Sequence, residues 1–311
     1  MRVRREGYNR RRKMKTRDKI GSVLKAPLSW TYAVRYPAPN VMTDADTIRY
    51  IKEHRVSFAR FGDGELCLMR GIGILFQEYD VRLRDRLCSL AEESVLGLLQ
   101  GVPYMVSHPA KSRAFLTDPS RRFWRRHLLW AGGYYRRFFR APLYGDTNIT
   151  RFYAERRDKA GRDAYAAAVR EIFAERNLLF VEGAGTHSGV GNDLFGDMNA
   201  AGRRCRRILC PSRNAYAKYD EILRAVTRTV RDDDLVVLSL GPTATVLARD
   251  LTVRGCQALD LGHLDVEYTW WQKQTGGAVP TPGKDMAEIS SFVPAEKENE
   301  TYLSQIIGEI Q

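Results

Sequence analysis

Two carboxylates separated by one glycine, Asp63 and Glu65, stand in the run Arg60-Phe61-Gly62-Asp63-Gly64-Glu65, directly after a short apolar stretch. Flanking glycines let the backbone turn so that both acids can face one ion, and hard oxygen ligands suit Mg²⁺ or Mn²⁺, cations that hold diphosphates well. The plainer alternative is an acidic turn that caps the next helix. A second acidic group follows in Leu261-Gly262-His263-Leu264-Asp265-Val266-Glu267-Tyr268. If this stretch is extended, the two-residue period puts His263, Asp265 and Glu267 on one side. His263 could then complete a metal shell, and any of the three could serve as a general base. The alternative is a half-buried strand whose polar side faces water.

Other clusters suit phosphate. The loop Val181 to Asp193 carries Gly183 and Gly185 in a G-x-G pattern, but Ser188 stands where a dinucleotide fingerprint needs its third glycine. The next strand ends in Pro211-Ser212-Arg213, with no acid for a ribose 2′-hydroxyl, so only an NADP version of that reading survives, with Arg213 on the extra phosphate. A simpler reading has free backbone N–H groups around Gly183 and Gly185 cradling a nucleoside diphosphate. Gly241-Pro242-Thr243 joins a buried strand to a helix, where Thr243 is placed as N-cap and the helix start could hold a phosphate oxygen. Asn214 and Lys218, one helical turn apart, would point at the same mouth.

The elements that must position these residues form an alternating pattern. Short apolar runs at 178–181, 208–210, 235–240 and 258–261 end in Gly or Pro and alternate with helical stretches near 162–176, 214–228 and 243–254. An earlier strand covers 56–61, preceded by a helix over 46–53 capped by Thr43 or Asp44. A long helix is expected over 81–100 and a short one near 299–309. This predicts an α/β fold: a Rossmann-like, doubly wound, mainly parallel sheet that binds ligands outside the carboxyl ends of its strands. The expected organisation is a basic N-terminal arm and linker over 1–40, one catalytic domain over 41–272 and a C-terminal tail over 273–311.

The charge is local. The 311 residues carry a net +13, and two segments more than account for it: 1–19 has ten basic residues against two acidic ones, and 121–140 has seven arginines and no acid. The arginines of 121–140 interleave with aromatics, which suits an interfacial helix on anionic lipid, single-stranded nucleic acid, or a surface helix whose rings are core. Five cysteines without metal-ligand spacing argue for a reducing compartment, and no apolar run reaches the roughly 18 residues of a membrane span. The expected location is cytoplasmic, at most peripheral at the inner membrane face.

Taken in order, five motifs resemble the GT-D type glycosyltransferases, over roughly 45–272. They are Arg60 to Glu65, Gly189-Val190-Gly191-Asn192-Asp193-Leu194-Phe195, Cys210 to Asp220, Leu240 to Ala248, and Asp260 to Tyr268. The resemblance implies a Rossmann-like domain that uses a D-x-E motif, here Asp63 and Glu65, a divalent metal and a UDP-sugar to glycosylate a growing glycan. Together the residue and family readings give Asp63, Glu65, Asp265 and Glu267 as catalytic, and Asp63, Glu65 and His263 on Mn²⁺ or Mg²⁺. Arg60, Gly62, Gly183, Gly185, Asn192, Asp193, Asn214, Lys218, Pro242 and Thr243 would lie around the nucleotide sugar. The expected reaction moves a hexose, glucose for preference, from a UDP-sugar to a glycan acceptor, lipid-linked or protein-linked, in cell-surface polysaccharide or glycoprotein synthesis. The alternatives are an NADP-dependent oxidoreductase and a nucleic-acid module using 1–19 and 121–140. On the leading reading no nucleic acid is a partner.

Overall fold

Along each central strand, alternate apolar residues enter two different cores, one on each face of a single sheet. In β1 (Ser57–Arg60) Phe58 belongs to one core and Ala59 to the other. In β4 (Asn177–Gly183) Leu178 and Phe180 face one side, and Leu179 and Val181 the other. Strands buried on both faces must be apolar throughout, which explains the unbroken hydrophobic runs. The computed structural model describes residues 26–286, 289, 292–294 and 299–311. The basic segment 1–19 lies outside the described residues.

The remaining strands are β2 (Leu98–Val102), β3 (Gly145–Asp146), β5 (Cys205–Cys210), β6 (Asp234–Ser239), β7 (Gln257–Asp260) and β8 (Ile306–Glu309). They form one sheet in the order β3-β2-β1-β7-β6-β4-β5-β8. Every pairing in it is parallel. The helices, in chain order, are α1 (Ala26–Arg35), α2 (Asp44–His54), α3 (Asp63–Met69), α4 (Val81–Glu92), α5 (Pro109–Phe115), α6 (Asp118–Phe138), α7 (Arg162–Phe173), α8 (Tyr219–Thr229), α9 (Pro242–Val253), α10 (Leu264–Gln272) and α11 (Glu300–Ser304). Apolar residues of α3, α4, α6, α8 and α9 enter one core; those of α2, α7 and α10 enter the other. Helices on both faces of a parallel sheet make the fold doubly wound, as expected.

Several expectations need correction. The helix expected over 81–100 stops at Glu92, and Gly97, at φ +79°, turns the chain into β2. The stretch after His263 is not extended: it is α10, buried on nearly every side. The C-terminal stretch is helical only over Glu300–Ser304 and continues into β8, which pairs with β5. The packed body therefore extends past the expected boundaries at 41 and 272, with α1 against α6 at one end and β8 in the sheet at the other. The 121–140 segment lies mostly in α6, but Trp124, His127, Tyr134, Tyr135 and Phe139 are buried. Its rings therefore serve the core, leaving Phe123 as its large aromatic at 43% exposure.

Candidate active site

The carboxyl ends of β1 and β7 and the start of α9 meet at Arg60. Its Nε meets Asp260 Oδ1 at 3.1 Å and a terminal nitrogen donates to Thr150 Oγ1 at 2.7 Å. Thr245, in the first turns of α9, donates its hydroxyl to the Arg60 carbonyl at 3.0 Å and lies 3.2 Å from Asp260 Oδ2. Burial pushes the Asp260 carboxyl up and Arg60 pulls it back down. The guanidinium passes so close to Gly262 that a Cβ there would lie 2.1 Å from it, so this turn, at φ +47°, needs glycine. Arg60 thus ties two strand ends and a helix start together beneath the D-x-E turn.

The turn itself starts α3. Gly62 is the N-cap, and Glu65, three residues on, bends back so that its Oε2 accepts the Gly62 N–H at 2.8 Å, one half of a capping box. Burial pushes the Glu65 carboxyl up to about 7, against the pull of Arg60. Asp63 sits at the first helical position, exposed, with no hydrogen bond or ion pair to its side chain among the described residues. Residues two apart on a helix do not face each other, so the pair is not the two-sided claw that the glycine spacing suggested. Among the described residues no three of His, Cys, Asp and Glu are grouped to hold a metal ion, so His263 does not complete a shell with Asp63 and Glu65. The donor set nevertheless fits the way Mg²⁺ and Mn²⁺ sit on nucleotides, through one or two carboxylates with phosphate and water oxygens filling the rest.

Behind the turn lie two residues the sequence reading passed over. The Tyr135 hydroxyl donates to the Gly62 carbonyl at 3.1 Å, and His127 Nε2 lies 3.2 Å from the same hydroxyl. Both are buried, and burial drives His127 down to about 4, so it is neutral at physiological pH. They are positioning residues that hold α6 against the acidic turn. A tyrosine and a histidine on one helix gave no sequence signal, because their target, Gly62, is remote in the chain.

The other expected groups are spent on structure. Asp265 Oδ1 accepts from Gly189 N at 2.7 Å and Asn192 Nδ2 at 2.8 Å, and its other oxygen pairs with the buried Lys284. Glu267 Oε2 accepts the N–H groups of Tyr153 and Ala154, both at 2.8 Å. The helix has sent the two acids to different loops, which removes both as expected bases. His263, half-buried, lies 3.4 Å by its Nδ1 from Arg151. Asp193 accepts from Tyr268 and Gln272 and pairs with Arg170.

The glycine loop is likewise engaged. Gly183 is still in β4, Ala184 N donates to Cys210 O at 2.9 Å, and Gly185 N donates to Ser212 Oγ at 3.1 Å. Glu182 holds Ser188 N at 3.0 Å and forms a fully buried ion pair with Arg207 at 2.8 Å. These partners replace the free N–H cradle expected there. Asn214 takes Glu78 N at 2.7 Å and pins the 76–78 segment, whose Phe76 ring lies over Gly241; Lys218 pairs with Glu221 at 3.3 Å. The pair therefore does not converge on one mouth. At α9 the N-cap is Gly241, with Pro242 at the first helical position, so Thr243 is not the cap. Its buried Oγ1 has no hydrogen-bond partner among the described residues.

The chain has relatives among known proteins. The chain matches the family described as "Glycosyltransferase GT-D fold" over residues 58–289, most of its length. The chain belongs to the GT-D family. It is 36% identical over 276 residues to a Streptococcus gordonii protein named "Probable glycosyl transferase Gly" and 34% identical over 267 residues to "Glycosyltransferase GlyD" of Streptococcus pneumoniae. These alignments cover 87% and 85% of this chain but only 39% and 32% of those relatives, so it spans about two-fifths or less of their length. A solved structure described as the domain of unknown function 1792, with "a distinct glycosyltransferase fold", superposes with a TM-score of 0.81 at 37% identity, covering 91% of this chain and all of that one. A Streptococcus sanguinis structure described as a new glycosyltransferase gives a TM-score of 0.80 at 35% identity, with 88% of this chain and all of that one covered.

Proposed function

We propose that this GT-D chain transfers a hexosyl group, glucose being the expected one, from a UDP-sugar to a hydroxyl of a glycan acceptor, with Mn²⁺ or Mg²⁺ at Asp63. The observation that carries the reading is the Asp63 carboxylate, exposed and without a partner among the described residues, at the carboxyl end of a central strand in a family of glycosyltransferases. The chemistry a divalent cation supplies there is Lewis-acid neutralisation of the charge on the leaving diphosphate. Glu65 keeps the turn in place through Gly62, and the Arg60–Asp260–Thr245 hub fixes the strand ends on which the turn rests. Of the three expected bases, His263 alone keeps a half-buried place at the strand-end surface and is the candidate for taking the acceptor proton.

The NADP reading loses support because the N–H groups of its glycine loop are bonded within the protein. A thermal shift with UDP that requires Mn²⁺, followed by a donor screen across UDP-sugars with product masses, tests the proposal. A shift produced by NADPH without metal, and none by UDP, would overturn it.

A further inference from the structure

A cleft of about 360 Å³ opens between α1, α5 and α6, within the range of small-ligand pockets. Its apolar lining includes Trp30, Met105, Trp124 and Leu128. Four arginines, Arg113, Arg121, Arg125 and Arg136, also line it, with no carboxylate. Arg121 is paired with Asp118, and Arg136 donates to the Ala33 carbonyl at 2.9 Å. Arg113 and Arg125 are exposed and have no acidic partner among the described residues. At the rim Trp30 and Leu129, 59% and 60% exposed, are joined by a 3.1 Å hydrogen bond from the Trp30 indole to the Leu129 carbonyl.

Two adjacent glycines shape the cleft. A Cβ at Gly133 would lie 1.7 Å from the Ser29 carbonyl oxygen, so this glycine lets α1 lie directly on α6. Gly132 faces the cleft, and a Cβ there would meet only Leu128 Cβ, at 3.9 Å. The space is thus left open by a missing side chain.

We infer that this cleft binds the phosphate head and adjoining methylenes of an anionic membrane lipid, seating the protein on the bilayer. An apolar floor beside the Arg113 and Arg125 guanidiniums, without an acidic partner among the described residues, matches a ligand that is apolar at one end and phosphate at the other. Exposed tryptophan at the rim is placed as side chains are at the headgroup level. The chain's own basic segment 1–19 has the same sign as the cleft and does not complement it. The inference does not rest on glycosyl transfer, since its readout is binding.

The test uses the full chain with phosphatidylcholine vesicles prepared with and without phosphatidylglycerol. Gly132→Leu fills the cleft at a position with room, and Arg113→Glu with Arg125→Glu reverses its unpaired charges. Both proteins should keep the wild-type melting temperature and donor hydrolysis while losing about tenfold or more of their partition onto the phosphatidylglycerol vesicles. Soluble dihexanoyl phosphatidylglycerol should displace the wild type from vesicles, and inorganic phosphate at equal concentration should not. Wild-type partition by a folded Gly132→Leu protein, equal displacement by phosphate, or preferential displacement by single-stranded RNA would each overturn the inference.

Discussion

Asp63 and Glu65 stand one residue apart yet have different duties. Asp63 gives its carboxylate to the solvent side, whereas Glu65 returns its own to the Gly62 N–H. Asp63→Asn should therefore abolish Mn²⁺-dependent hydrolysis of a UDP-sugar while shifting stability by no more than about 0.5 kcal/mol, as for other exposed sites. Glu65→Gln keeps an oxygen for Gly62 and should fold normally; Glu65→Ala loses the cap and should cost about 1 kcal/mol in urea denaturation. The D-x-E motif was legible in the sequence because its residue types are unusual at a strand end. That the two acids diverge was not legible, since the same spacing fits both a claw and a helical first turn, and the choice rests on Glu65 finding a backbone partner. His127 and Tyr135 were invisible for a related reason: what defines them is the Tyr135 hydroxyl's contact with the Gly62 carbonyl, 73 residues away, which His127 backs from behind.

At the scale of elements, α10 is the informative misreading. Leu264, Val266 and Tyr268 alternate with Asp265 and Glu267, which mimics a strand, but the helix is buried on almost all sides and so carries no polar stripe to betray its period. Its acids survive burial through specific partners. Glu267 has its carboxyl raised by burial to about 7, and its Oε1 has no hydrogen-bond partner among the described residues. The folded protein therefore binds an extra proton between the ordinary glutamate range and pH 7. The stability this contributes is full below about pH 4.5 and is lost as pH rises through 7. Glu267→Gln keeps an oxygen for Tyr153 and Ala154 and removes that titration. Relative to wild type it should gain about 1–3 kcal/mol on going from pH 5 to pH 8, measured by urea denaturation at each pH. The strands β4, β6 and β7 were legible because two-sided burial leaves them largely apolar, whereas β5 was legible only from Ile208 on, since Arg206 and Arg207 interrupt its first half. β3, two residues long, and β2, masked by the end of a helical pattern, were not.

The whole molecule is closed by its C-terminal residues. Arg207 and Glu182, both buried, are joined by Gln305, whose Oε1 accepts from Arg207 Nε at 2.8 Å, and by Tyr302, whose hydroxyl donates to Glu182 at 3.1 Å. Arg207→Ala should cost about 3–5 kcal/mol, because it strands a buried carboxylate. Removing residues 299–311 should lower the melting temperature and expose the β5 edge, read as faster proteolysis and concentration-dependent association. Sheet order was only partly legible: alternation of strands and helices predicts parallel pairing, but nothing in the apolar pattern says that the last strand returns to the β5 edge.

That return has a consequence for biosynthesis. A ribosome finishes Arg207 long before it supplies Gln305, 98 residues downstream. Throughout that interval the Arg207 guanidinium lacks one of its clasps. This corner is therefore complete only once β8 has been made and has paired with β5.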